Sequence, residues 1–253
     1  MTTARVKNGE PYLREARTLK QRLRSWKFKP DGQIKIAIPN KGELSAETVN
    51  LLRQEKIADI ESMARTYVAR FDEVLIIRVN ASDVPNYVAE GMVDFGITGY
   101  DRVVESAAPL ETLLRLGYGK CRVSLAGLDV PVSDSRYFEG YLEGKVVATS
   151  LPRLASCYLK DRKINAEVRY LKGAVEGSVM AGFATAIIDV VSSGKTLLEN
   201  GLREISTVLV SEAVLVSKRE PISKDPRPLS VPFNDMLDLD PFPGADDCDI
   251  SSH

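Results

Sequence analysis

Asp189-Val190-Val191-Ser192-Ser193-Gly194-Lys195-Thr196 follows an apolar run, Ala184 to Ile188, and precedes Leu197 to Leu202. The apolar run reads as a buried strand and the residues after the loop as a short helix. A strand that ends in an acid and turns through Ser-Ser-Gly-Lys-Thr into a helix suits a phosphate monoester. Gly194 lets the backbone come close, the first helical N–H groups point at the anion, and hydroxyls and a Lys add donors. Hydrogen bonds to a charged group contribute roughly 1.5–3 kcal/mol each, so several together make a strong anchor. Asp189 would repel a phosphate and is better placed for sugar hydroxyls, as in a ribose-phosphate site. The competing reading is an ordinary polar turn at a helix N-terminus, where Ser, Gly and Thr are favoured anyway.

Outward from this loop, two segments look alike. Lys35-Ile36-Ala37-Ile38-Pro39-Asn40-Lys41-Gly42 leads into a helical pattern ending near Glu55, and Lys145-Val146-Val147-Ala148-Thr149-Ser150-Leu151-Pro152 into another ending near Arg162. A second pair follows, Tyr87 to Gly91 before the strand Val93–Thr98, and Ser178 to Gly182 before Ala184–Ile188. The repeated order predicts two α/β lobes, each an open, mostly parallel sheet covered by helices. Ligands of such sheets bind beyond the carboxyl ends of the strands. A cleft lined by Pro39–Gly42, Thr98–Asp101 and the Asp189–Thr196 loop follows.

The expected first lobe takes residues 33–122 and the second 123–205. Val208 to Ser217 reads as a strand returning to the first lobe, so 206–219 is assigned there, with two crossings and a hinge. Residues 1–32 form an extension in which Leu13, Ala16, Leu19, Leu23 and Trp26 repeat at helical spacing over 11–27, with basic residues opposite. The Pro- and Asp-rich residues 220–253 read as an extended tail.

Composition narrows the chemistry. With 253 residues, 44% hydrophobic and a net charge of −1, the chain reads as a soluble globular protein without a field for nucleic acid. No run approaches a membrane span, and Met1 to Glu10 lacks a signal-peptide core, which predicts a cytoplasmic protein. Cys121, Cys157 and Cys248 are scattered and odd in number, which suggests reduced thiols. The only histidine is His253, the last residue, so a Ser-His-Asp or Cys-His hydrolase and a His-ligated zinc site are excluded in practice.

Six motifs then fall in order: Ile38-Pro39-Asn40-Lys41-Gly42; Asp83 to Val88; Val93-Asp94-Phe95-Gly96-Ile97-Thr98-Gly99-Tyr100-Asp101; Leu116-Gly117-Tyr118-Gly119-Lys120-Cys121-Arg122; Gly173-Ala174-Val175-Glu176; and Asp189 to Leu202. Together they resemble the ATP phosphoribosyltransferase family from about Ile34 to Arg219. The resemblance implies two periplasmic-binding-protein-like lobes and transfer of a 5-phosphoribosyl group from phosphoribosyl pyrophosphate (PRPP) to N1 of the adenine of ATP. It implies Mg²⁺ carried by the donor's pyrophosphate, with no metal site made by protein side chains alone. By that likeness Asp189, Val191, Ser192, Ser193, Gly194, Lys195, Thr196 and Glu176 bind PRPP. Asn40, Lys41, Gly42, Arg78, Gly99, Tyr100, Asp101 and Arg122 lie near ATP and pyrophosphate, and Asp189, Lys41 and Arg122 carry the catalysis. A homo-oligomer, dimer or larger, is implied too, and short forms of the family usually work with a separate regulatory subunit.

There are departures from the family pattern. Glu43 stands where many members have Arg, and Tyr100 where Lys, Arg or Glu is commoner. The residues after Arg219 read as too few, and of the wrong composition, for the regulatory domain that long forms append, and the core also resembles phosphoribosyltransferase-like enzymes of nucleoside-antibiotic pathways. Two rival expectations stand beside the enzyme: a catalytically silent PRPP- or nucleotide-binding regulatory subunit, and a two-lobed protein that binds a small anion.

Overall fold

The computed structural model describes residues 19, 20, 23, 33–60, 66–128 and 140–219, which build two sheets. The first contains β1 (Ile34–Pro39), β2 (Val68–Phe71), β3 (Val74–Val79), β4 (Phe95–Gly99), β5 (Leu110–Arg115) and β11 (Ala213–Lys218), in the order β2-β3-β1-β4-β11-β5. The second contains β6 (Cys121–Leu128), β7 (Val146–Thr149), β8 (Glu167–Tyr170), β9 (Ala186–Val191) and β10 (Leu202–Ser211), in the order β10-β6-β9-β7-β8. The helices are α1 (Glu43–Gln54), α2 (Val84–Ala89), α3 (Tyr100–Ser106), α4 (Pro152–Asp161), α5 (Gly177–Met180) and α6 (Lys195–Glu199).

The internal likeness is a repeat of topology. β1 lies parallel between β3 and β4, and β7 lies parallel between β8 and β9. Alternation along these strands sends side chains to both faces of each sheet. In the first lobe Ile36 and Ile38 pack with Leu52 of α1, while Ala37 faces Val84 and Val88 of α2. In the second, Ile188 joins Leu154 and Tyr158 of α4, and Ile187 joins Val179 of α5 and Leu197 of α6.

The sheets are mixed rather than mostly parallel. β11 pairs antiparallel with β4 and β5, β2 antiparallel with β3, and β6 antiparallel with β9 and β10. β2 and β3 form a short hairpin turning at residues 72–73, whereas β6 and β11, which follow the crossings, run against the strands they join. The expected strand Val208–Ser217 is two strands broken at Glu212. Residues 206–211 stay in the second sheet, where Ser211 pairs with Cys121, and only β11 returns to the first. Arg122 likewise belongs to the second sheet, within β6. The crossings therefore fall at 116–120 and at Glu212.

At the crossings the two connections are bonded to each other. The Glu212 carboxylate accepts from Arg115 Nη1 at 2.9 Å and from the Gly117 amide at 3.1 Å, and its carbonyl accepts the Tyr100 amide at 2.9 Å. The Ala213 amide donates to the Tyr118 carbonyl, and the Leu116 amide to the Ala213 carbonyl, both at 2.9 Å. A further link ties the lobes together. The Glu105 carboxylate, on α3, accepts the amides of Arg153 and Leu154 at 3.0 and 2.9 Å, capping the first turn of α4. Burial pushes the Glu105 carboxyl up from its ordinary value, against the opposing pull of those two amides and of Arg102 and Arg153.

Of the expected N-terminal helix, the described residues are Leu19, Lys20 and Leu23, all helical. Leu19 and Leu23 are buried in the first-sheet core, and Lys20 Nζ donates to the Lys56 carbonyl at 3.3 Å. The rest of that helix and the tail 220–253 lie outside the described residues. Cys157 is disulfide-bonded while Cys121 keeps a free thiol, so the expectation of three reduced thiols does not hold.

Candidate active site

Parallel pairing of β1 with β4, and of β7 with β9, brings each pair of carboxyl ends to one edge of its sheet. Between those edges lies a cleft of about 630 Å³. Its first-lobe wall is Glu43, Leu44 and Glu47 of α1 with Gly99, Asp101 and Arg102. Its second-lobe wall is Val190, Ser192 and Ser193, and Gly119, Lys120 and Cys121 of the crossing form a third side. A cleft is present and the Ser192–Ser193 loop faces the end of β4 across it, but of the three loops expected to line it, Pro39–Gly42 is not among its lining residues.

The loop is open to solvent. Ser192, Ser193, Lys195 and Thr196 are exposed, whereas the Val191 side chain is buried, leaving only its backbone to serve a ligand. Gly194 has φ 78°, a left-handed conformation that a side chain strains. The helix that follows is Lys195–Glu199, shorter and earlier than the Leu197–Leu202 expected, because β10 already begins at Leu202. Its first helical bond runs from the Leu198 amide to the Gly194 carbonyl at 3.2 Å, so the amides of Thr196 and Leu197 have no acceptor within the helix. Lys195 makes only a loose surface pair with Glu199, at 3.7 Å.

Asp189 sits half-buried on β9, where its Oδ1 accepts the Ser150 hydroxyl at 2.6 Å. Desolvation pushes its carboxyl above the ordinary value, with the Ser150 bond pulling the other way and the nearby charge of Glu176 adding to the rise. Ser150, at the end of β7, was missed by sequence reasoning. Its place is that of Asn40 in the first lobe, so the repeat itself was the signal.

Several expected first-lobe contacts are otherwise engaged. Tyr100 is only 6% exposed, in the core with Val84, Val88 and Val214, and the Arg115 guanidinium lies 5.8 Å from its ring centre. Asp101 lines the cleft but is 5% exposed. Its Oδ1 accepts the Ser211 hydroxyl at 2.7 Å, and Oδ2 pairs with Arg102 at 3.1 Å. A Cβ on Gly99 would stand 2.4 Å from Asp101 Oδ1, so glycine is what lets this carboxylate fold back. Arg78 Nη2 donates to the Asn40 carbonyl at 3.1 Å and braces the first loop, whose exposed Lys41 and Gly42 precede α1.

Arg122 is spent within its own lobe. Its Nε donates to Glu204 Oε1 at 2.5 Å, its Nη2 to Glu204 Oε2, and its Nη1 to the Ser192 carbonyl at 3.2 Å. The cation of that motif lining the cleft is Lys120, together with Arg102, and neither was singled out from sequence. Lys120 and Arg122 are two residues apart, so alternation alone puts them on one face; the pairing with Glu204, 82 residues on, is what sets Arg122 apart.

Mixed two-lobed sheets with a polar loop over a central cleft define a protein of the periplasmic-binding-protein-like architecture. A domain of Bordetella pertussis BvgS (VFT2) shares it with a TM-score of 0.50 at 18% identity, covering 79% of this chain and 84% of that one. The Thermotoga maritima ATP phosphoribosyl transferase (HisG:HisZ) complex contains a chain matching at TM-score 0.63 and 24% identity, over 74% of this chain and 88% of that one. In sequence, residues 80–235 match the model of the HisG: ATP phosphoribosyltransferase family. The Saccharolobus solfataricus ATP phosphoribosyltransferase is 37% identical over 196 residues, 76% of this chain and 67% of that protein. The chain belongs to the ATP phosphoribosyltransferase family, whose members transfer the phosphoribosyl group of PRPP to ATP in histidine biosynthesis. Among the described residues no helix is long and apolar enough to cross a membrane.

Proposed function

We propose that this chain is itself catalytic, joining C1 of the PRPP ribose to N1 of the ATP adenine, with the donor on the second lobe and the acceptor on the first. The observation that carries this reading is the facing pair of walls, Ser192–Ser193 opposite Gly99–Asp101, with Asp189 set behind the loop. The 5-phosphate takes the Ser192, Ser193 and Thr196 hydroxyls and the free amides of the loop. Asp189, oriented by Ser150, holds the ribose hydroxyls, with Glu176 adding negative charge beside it.

As the C1–O bond to pyrophosphate breaks, positive charge grows on the sugar. The N1 lone pair of adenine forms the new bond, so no side chain need remove a proton to create the nucleophile. That is consistent with a chain whose only histidine is its last residue. The Asp189 carboxylate stabilises the sugar cation, and Lys120, Lys41 and Arg102 offset the phosphates. Mg²⁺, when bound to the pyrophosphate, neutralises the leaving group. Glu43 and Glu47 on the cleft wall are oxygen donors of the kind it takes, and Glu47 Oε2 is shielded from solvent with no hydrogen-bond partner. A dimer or larger assembly and a separate regulatory subunit belong to the same reading. Burial of Tyr100 weakens the silent-subunit alternative, because the residue at that place is core rather than a lost ligand.

The test is the pure chain with ATP, PRPP, Mg²⁺ and pyrophosphatase, followed by the absorbance of N1-ribosylated adenine. Turnover without a partner is expected. Binding of both substrates with no product would favour the silent subunit instead. Because an ionised Asp189 is required and its carboxyl lies above the ordinary range, activity should fail on the acid side at a pH higher than an unshifted aspartate would give.

A further inference from the structure

The Arg122–Glu204 pair lies beside the phosphate loop, not across it. Antiparallel pairing sets the start of β6 against the end of β9, with Arg122 opposite Val191, so the guanidinium reaches the loop from its own sheet. Glu204 reaches it from β10, where the pairing with β6 is irregular between Glu204 and Ser206. Its Oε1 also accepts the Ser124 hydroxyl at 2.7 Å. The remaining Arg122 contact is the Ser192 carbonyl, and a Cβ added to Gly194 would lie 4.0 Å from Arg122 Nη2.

We propose, building on the reading of Ser192–Thr196 as the phosphate loop, that Glu204 is a positioning residue for PRPP. It locks the guanidinium fork of Arg122, and Arg122 in turn fixes the Ser192 carbonyl. In a trans peptide the C=O and N–H point in opposite directions, and no cis peptide is present. Anchoring that carbonyl therefore turns the Ser193 amide away from Arg122 and sets the conformation in which the loop receives the anion. The bidentate fork leaves little rotational freedom, which a lysine could not reproduce. Arg122 thus acts through the loop and not on the pyrophosphate.

Calorimetry with ribose 5-phosphate, which lacks pyrophosphate, separates the two roles. Glu204→Ala and Arg122→Ala should each weaken ribose 5-phosphate binding roughly ten-fold, the loss of one well-placed charge-assisted bond in the loop. The double variant should be no worse than either single one, and Glu204→Asp should recover part of the affinity. In turnover, KM for PRPP should rise while KM for ATP stays constant, which mere loss of stability would not produce. Should the Ala variants fail to fold, Glu204→Gln with hydrogen exchange at amides 192–196 reads the same clamp, and faster exchange confined there is expected. If Arg122 instead binds pyrophosphate directly, Glu204→Ala frees it, and affinity for PRPP holds or improves while ribose 5-phosphate binding is unchanged. That result overturns the clamp and leaves the loop standing. Failure of the wild-type chain to bind ribose 5-phosphate overturns both.

Discussion

The loops after β4 and after β9 occupy the same place in the two halves of the repeat, yet they are finished differently. After β4, Asp101 is buried against Ser211 and Arg102, and Tyr100 is packed into the core. At the other turn the acid, Asp189, lies within β9 and stays half-buried behind an exposed run of hydroxyls that follows the strand. One copy of the turn has become part of the frame beside the crossings, and the other has kept its hydroxyls exposed. Equivalent topology therefore fixes where a ligand sits, and the polar groups left unpaired fix which ligand it is.

That contrast is open to attack. Asp189→Asn and Gly194→Val should each lower kcat/KM by about 10²–10³-fold, as removal of a transition-state contact or of the left-handed turn requires, while circular dichroism stays native. Asp101→Asn should instead lower the melting temperature with a smaller effect on rate. Equal losses of rate at Asp101 and Asp189 would erase the distinction between the two turns. Next in size, Glu105→Ala removes two amide contacts across the lobes and should cost about 1–3 kcal/mol in denaturant unfolding. An unchanged midpoint would show that the lobes are held by the crossings alone. The smallest effect is expected for Lys195→Ala. Its surface pair with Glu199 contributes about 0.5 kcal/mol or less, so stability should hardly change, and any rise in the PRPP KM reports a direct phosphate contact.

The parts legible in sequence were those with local signals. The apolar runs of β1, β4, β7 and β9, the turn chemistry at Asn40–Gly42 and Ser192–Gly194, and the paired order of elements all depend on neighbours in the chain. Partners distant in sequence were not legible. Glu204 meets Arg122 from 82 residues away, and Ser150 meets Asp189 from 39. The break of the strand at Glu212 was hidden for a related reason. Residues 208–217 are uniformly strand-like, and only the tertiary bonds of the Glu212 carboxylate show that the chain changes sheets there. Tyr100 was read as a ligand from its motif position, and its packing in the core was not legible, although a large aromatic beside a returning strand is good core material.

Glu212 has a mechanical consequence. Two separate ribbons joining two bodies would let them shear and roll as well as swing. One carboxylate, bonded to Arg115 and to the Gly117 amide, rivets the ribbons to each other, so neither can slide independently of the other. A single acid thereby fixes the spacing of the two strips of backbone that join the halves.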